Sequence, residues 1–313
     1  MLKTSLQGIG TIYRNIGDSP EAGIEKIHEA GFECVDFNFE MYGDYDTFTA
    51  VDGSCFYDRP LSELKEFFKP CCEAAEKYGL SFGQAHAPFI DYPEGNEDGY
   101  EHFVKIIRKI IALAGWMGIP YLVIHPFTFR DESKKKEEKK ANLQFFCSLI
   151  EAAKKANVVI CLENLFLMRN GKARDGACSN VNEALDYLHI LNANEEKKLF
   201  GFCFDAGHAA LLGRNVYEFV TGLGDDLKAV HLHDNDGKAD LHGIPYTYAG
   251  SWGGKSIADW EGLIKGLHEI GYSGTVNFET GSALYCVPEE LADAARRFTH
   301  EIGVYIARRI EKG

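Results

Sequence analysis

One unit repeats from end to end of this chain: a short β-branched or aromatic run, then a longer stretch with helical periodicity. The predicted strands are 6–13, 32–39, 81–87, 121–127, 158–163, 200–205, 227–234 and 275–279. Helical patterns fall between them at 20–30, 61–78, 100–117, 141–156, 181–189, 257–270 and 289–310. Gly31, Gly79, Gly118 and Gly271 stand just before strands, where a left-handed residue closes a helix. Nearly continuous apolar strands imply parallel strands buried on both faces, and closing the sheet removes its edges. The expected fold class is therefore α/β, a single (β/α)8 barrel over residues 1–313. The alternative, an open doubly wound sheet, more often carries a glycine-rich nucleotide loop after its first strand. GIGTIYRN lacks the GxGxxG spacing for one.

Length and composition suit such a barrel, since 313 residues with 45% hydrophobic side chains can bury a large core. The net charge of −14 opposes association with nucleic acid or an anionic membrane, so neither is expected as a partner. The one lysine-rich run, Lys134 to Lys140, is broken by Glu137 and Glu138 and reads as the start or solvated face of a helix. Nine cysteines without a CxxC pair, and an N-terminus without an apolar signal core, point to the reducing cytoplasm. Cys34, Cys161 and Cys203 lie in apolar runs and are expected in the core, and the adjacent Cys71 and Cys72 are too strained to pair.

Chemistry is concentrated at the ends of the strands. His86 closes SFGQAH, His125 closes YLVIH, Glu163 closes VVICLE, Asp205 closes FGFCFD, His231 and His233 lie in LKAVHLHD, and Glu279 closes TVNFE. Any one of these could be a helix cap or a hydrogen-bonded loop residue. Six consecutive strands ending this way would converge on one mouth of a barrel, and crowded buried carboxylates without a cation cost several kcal/mol each, on the order of the usual ion-burial penalty. Glu163, Asp205 and Glu279 offer oxygen and His231 nitrogen, an oxygen-rich set that suits one divalent metal, Mn²⁺ first, with Zn²⁺, Co²⁺, Fe²⁺ or Mg²⁺ compatible. Two glutamates flanking an α-hydroxy ketone could remove a proton on one face and return one on the other. The longer connections, 41–59, 90–99, 166–180 and 239–255, all follow strands and so belong on that same face.

At these residues the chain resembles the xylose-isomerase-like TIM-barrel superfamily, in particular its sugar (phosphate) isomerase/epimerase members. The resemblance is carried by LENL at Glu163, FDAGHAALLG at Asp205 and His208, HLHDNDGKADLH from His231 to His242, IADW, and VNFET at Glu279. It implies Glu163, Asp205, His231 and Glu279 as metal ligands, Glu163 and Glu279 as the acid/base pair, and a small sugar as substrate. His86, His125, His208, His233, Asp240, His242 and Trp252 are the expected substrate contacts, and a homo-oligomer is left open. The departures are Arg169, where related ketose epimerases tend to have a second glutamate, and Gly237, where they tend to have an arginine.

Two other activities stay in view. A lyase would share the proton abstraction, acting on an inosose or a keto-glycoside. The superfamily also contains endonuclease IV, a trinuclear zinc phosphodiesterase, and His86, His125, Glu163, Asp205, His208, His231, Asp240, His242 and Glu279 fall where its ligands are expected. The acidic charge, and the absence from the sequence of a basic strip to cradle a duplex, favour the sugar reading.

Overall fold

A computed structural model describes residues 1–9, 11–12, 20–248 and 257–313. Eight parallel strands form the central sheet: β1 (Thr4–Gln7), β2 (Cys34–Asn38), β3 (Ser81–His86), β4 (Tyr121–Val123), β5 (Val159–Glu163), β8 (Phe200–Asp205), β9 (Leu227–His231) and β10 (Val276–Phe278). The remaining two, β6 (Phe166–Arg169) and β7 (Lys172–Asp175), form an antiparallel hairpin after β5. In the large sheet β10 pairs with β1, and the order then runs outward to β9. The ring closes just past β9, where Leu232 bridges to Phe278 and its N–H donates to the Asn277 carbonyl at 2.9 Å.

The period of two along each strand sorts side chains between two environments. Ile160, Leu162, Phe202, Phe204, Val230 and Leu232 point outward and join the large apolar cluster under the helices. Cys161, Cys203 and Ala229 alternate with them and form a separate small cluster with Val123 inside the barrel. Two residues further along the same inward faces stand Glu163, Asp205 and His231. Small side chains thus fill the barrel floor and leave room above it for the polar ones.

The helices bury the expected stripes. In Glu97–Trp116, Phe103, Ile106, Ile107, Ile110, Ile111 and Ala114 are covered, an i, i+3, i+4, i+7 pattern. The predicted closing glycines Gly31, Gly79, Gly118 and Gly271 all have positive φ, from 64° to 103°. All nine cysteines are free, with Cys34, Cys161 and Cys203 buried as expected. Among the described residues no helix is long and apolar enough to cross a membrane.

Several element boundaries differ from those read in the sequence. The first strand ends at Gln7 because the Gly8 carbonyl turns back to accept from the N–H groups of Thr11 and Ile12, at 3.1 and 2.7 Å. The fourth stops at Val123, and the helix expected over 141–156 is two, Lys135–Cys147 and Ile150–Ala156. The lysine-rich run does begin a helix. The helix Val216–Leu223 and the β6–β7 hairpin are additions, and only one is apolar enough to have announced itself.

Candidate active site

Every polar strand end picked out in the sequence faces one mouth, and the loops after the strands complete its wall. A cavity of about 410 Å³ opens there, and its lining includes Gln7, Glu40, His86, His125, Glu163, His208, Asp240, His242 and Glu279. Apolar surface comes from Ile9, Phe89, Ile90, Leu165, Phe166 and Leu167. Phe89 stacks on the His125 ring at 4.6 Å, and Phe166 tilts over His208 at 4.9 Å.

The floor is His231, entirely buried at the end of β9. Its Nδ1 lies 3.2 Å from Glu279 Oε2, 3.4 Å from Glu163 Oε2 and 3.9 Å from Asp205 Oδ2. Neither ring nitrogen has a hydrogen-bond partner, and neither does Glu163 Oε2. Buried polar atoms are ordinarily paired, so an unpartnered nitrogen and the unpartnered Glu163 Oε2, with two further carboxylates converging on them, make a group of donors that suits a cation. One ligand atom from each of Asp205, His231 and Glu279 lies within 4.8 Å of the others, with Glu163 alongside. A further trio, His86, His125 and Glu163, is grouped as closely, as are Asp205, His208 and His233.

Asp205 serves two masters through two oxygens. Oδ1 accepts from the His208 N–H at 2.6 Å and caps the helix Ala206–Leu211, while Oδ2 faces His233 Nε2 at 3.0 Å and His231. Capping and site roles, alternatives in the sequence, coexist in one side chain. Asn164 locks this corner, donating from Nδ2 to the Asp205 carbonyl and accepting at Oδ1 from the Asp205 N–H.

The electrostatics follow from crowding. Burial pushes the Glu163 carboxyl upward, but the adjacent His125 and His231 hold it well below the usual carboxylate range. Burial likewise opposes charge on His231, yet Glu279 and Glu163 raise it to about 9, and His242 rises to about 10 beside Glu279 and Asp240. The crowded carboxylates thus favour the protonated form of the His231 and His242 rings.

The predicted residues separate by depth. His86, His125, His208, Asp240 and His242 reach the cavity, and Asp240 ties His242 and His208 together at 3.0 and 3.4 Å. His233 does not line it: the ring is completely buried, stacked on His242 at 4.2 Å and held by Asp205. Trp252 lies outside the described residues. Tyr246, from the same loop, packs on Trp260 and Tyr305 and so anchors the loop. Asp36 and Asn38 are fully buried and absent from the cavity lining, and Asp36 sits beneath the site.

Two further polar residues at the ends of early strands line the cavity. Gln7 is a polar end to the first strand and donates to Glu279 Oε1. Glu40 follows the second, with Oε2 at 2.8 Å from His86 Nδ1. That nitrogen also faces the Ala87 carbonyl at 2.8 Å, so it carries hydrogen, and Nε2 is the atom turned to His125 and Glu163.

A family model described as xylose isomerase-like TIM barrel matches residues 24–302. The chain belongs to that family. Among curated relatives, an uncharacterized protein y4fM of Sinorhizobium fredii is 27% identical over 280 residues, 85% of this chain and 82% of the relative. A probable endonuclease 4 of Nitrosopumilus maritimus is 31% identical over 170 residues, 50% of this chain and 56% of the relative. An inosose isomerase of Halalkalibacterium halodurans is 24% identical over 222 residues, 71% and 72% of the two chains. Similar solved structures include a D-tagatose 3-epimerase-like protein (TM-score 0.65, 20% identity, 98% of this chain and 100% of the other). The 3-keto-D-glucoside 4-epimerase YcjR from E. coli aligns with TM-score 0.66 at 17% identity over 98% and 100% of the chains. The IolI protein with a bound zinc atom aligns with TM-score 0.71 at 18% identity over the whole of both chains. At such identities the structures fix the fold alone.

Proposed function

We propose that this protein is a divalent-metal-dependent isomerase or epimerase of a ketose or keto-sugar, a single barrel domain over residues 1–313 working in the cytoplasm. The observation that carries the reading is the pair of glutamates, Glu163 from β5 and Glu279 after β10, both lining the cavity and both within 3.4 Å of the unpartnered His231 Nδ1. The named activities of the epimerase and inosose isomerase relatives agree with it.

Glu163, Asp205, His231 and Glu279 would hold the metal, Mn²⁺ or Zn²⁺, the second being the metal bound to IolI. When bound, such a cation polarises a substrate carbonyl and offsets the negative charge that develops on it. A carboxylate oxygen of one glutamate takes the proton from the carbon beside the carbonyl, and the other glutamate returns a proton to the opposite face. His208 Nδ1, 3.2 Å from Glu163 Oε1, and Gln7, donating to Glu279 Oε1, aim the two carboxylates. His86, His125, Asp240 and His242 offer hydrogen bonds to sugar hydroxyls, while Phe89 and Phe166 cover apolar ring faces and exclude water. His233, also expected at the substrate, holds Asp205 instead, while Trp252, outside the described residues, is kept as a substrate contact on its place in the aromatic-rich loop.

The test is hydrogen exchange. Metal-loaded protein in D₂O with a panel of ketoses and keto-sugars should incorporate one carbon-bound deuterium, and incorporation into none at full metal occupancy would overturn the proposal. A second reading, a metal-dependent phosphodiesterase, is favoured by the grouping of eight of the nine expected ligands in close trios, with the ninth, Asp240, hydrogen-bonded to His208 and His242, and by the probable endonuclease 4 relative. The β6–β7 hairpin adds Arg169, Lys172 and Arg174 near the mouth, a basic feature the linear sequence disguised, although Arg169 is drawn toward Glu132 at 3.7 Å. Three zinc ions per chain with nicking of abasic duplex would establish that reading; one metal and no nicking would remove it.

A further inference from the structure

Beneath the site, Asp36 is a fully buried carboxylate from β2. Its Oδ2 accepts from Asn277 Nδ2 at 2.8 Å and from Gln84 Nε2 at 3.3 Å, and the same oxygen lies 3.8 Å from His231 Nε2. Its Oδ1 has no partner, and neither does His231 Nε2. Asp36 makes its closest approach to the ring at Nε2, whereas Glu163, Asp205 and Glu279 all make theirs at the opposite nitrogen, Nδ1. The ring is therefore held between two acidic environments of different kinds. Above, three carboxylates converge as metal ligands; below, a single carboxylate is pinned by two amides supplied by β3 and β10.

A neutral imidazole has one N–H and one lone pair, and a metal takes the lone pair. Histidines that bind metals commonly give their other N–H to a carboxylate, which fixes the tautomer and strengthens the donor nitrogen. We propose that Asp36 is a positioning residue that keeps the His231 proton on Nε2, so that the Nδ1 lone pair faces Glu163, Asp205 and Glu279 and binds the cation. Asn277 and Gln84 hold Asp36 in place by occupying the oxygen nearest His231. The buried charge is thereby given a use: it complements an imidazole whose other side is committed to a divalent ion. This inference rests on the metal reading above.

The experiment uses full-length protein with ¹⁵N-labelled histidine, loaded with Zn²⁺, His231 being assigned by the signals lost in His231→Gln. The expected spectrum shows hydrogen on Nε2 and a zinc-shifted Nδ1; hydrogen on Nδ1 with zinc on Nε2 would overturn the inference without any variant. In parallel, Asp36→Asn should weaken Zn²⁺ binding by ~10- to 100-fold, measured by chelator competition. The metal-free variant should melt no lower than the metal-free wild type, since the substitution removes a buried charge with an unpartnered oxygen. Unchanged zinc affinity in a folded Asp36→Asn protein would defeat the proposal. A wild type that binds no metal at all would instead defeat the metal reading on which it stands.

Discussion

Asp205 shows why single residues in this protein resist a single label. One oxygen caps a helix and the other holds His233 and faces His231, so Asp205→Ala should cost both stability and metal. About 1 kcal/mol of the stability loss belongs to the cap, readable by denaturant unfolding of the metal-free protein. Glu163 and Glu279 also carry two proposed roles, because substitution by glutamine keeps the shape but removes the base and weakens a metal ligand. Glu163→Gln and Glu279→Gln should each lower turnover by ~10²- to 10⁴-fold in a deuterium-exchange assay, while substrate still binds. A protein that only binds sugar would retain its affinity in both variants and have no turnover to lose. Of the residues at the mouth, the histidines and acids closing six strands were legible in the sequence because each interrupts an apolar run. Gln7 and Glu40 carry the same signal in SLQ and FNFE, but Gln7 falls inside the expected strand 6–13 and not at its end, and Glu40 falls just beyond the expected strand 32–39. The depth of His233 was not legible, since a period of two assigns a face and not a distance along the barrel axis.

At the scale of elements, polar residues end strands and then begin helices, and the two duties meet at the β8 corner. Gly207 lies in the helix capped by Asp205, and a Cβ there would come within 1.9 Å of His233 Cε1. Gly207→Ala should therefore push the His233 ring off Asp205. We expect a loss of ~1–3 kcal/mol by denaturant unfolding together with weakened metal binding, and an unchanged midpoint would show that the corner is looser than its packing implies. The β6–β7 hairpin was missed as structure because MRNGKARDG is polar and reads as a loop. Its pairing puts Leu167 opposite Arg174 and Arg169 opposite Lys172, so three cations share a face with a cavity-lining leucine. Only antiparallel pairing could collect them.

For the whole molecule, the proposed cation would complement the buried acids, and its removal should then be felt globally. A ligand that binds only the folded chain at 100 times its dissociation constant adds ~2.7 kcal/mol, so the melting temperature should rise with added Mn²⁺ or Zn²⁺ and fall on chelation. A melting temperature indifferent to both would count against a resident metal. The barrel also predicts thiol behaviour: burial pushes Cys71 up to about 12, whereas Cys147 and Cys286 are exposed. Brief alkylation at pH 8 followed by peptide mapping should therefore mark Cys147 and Cys286 and spare Cys71, Cys161 and Cys203. Taken by itself, the sequence determined the barrel and the mouth, because eight strand-helix alternations can bury their apolar strands on both sides by closing, and closure gathers all strand ends at one rim. Tertiary structure alone decided which of those ends touch. Depth along the axis comes from strand stagger and side-chain packing, and these set His231 at the floor with Asp36 beneath it and Glu163 and Glu279 above.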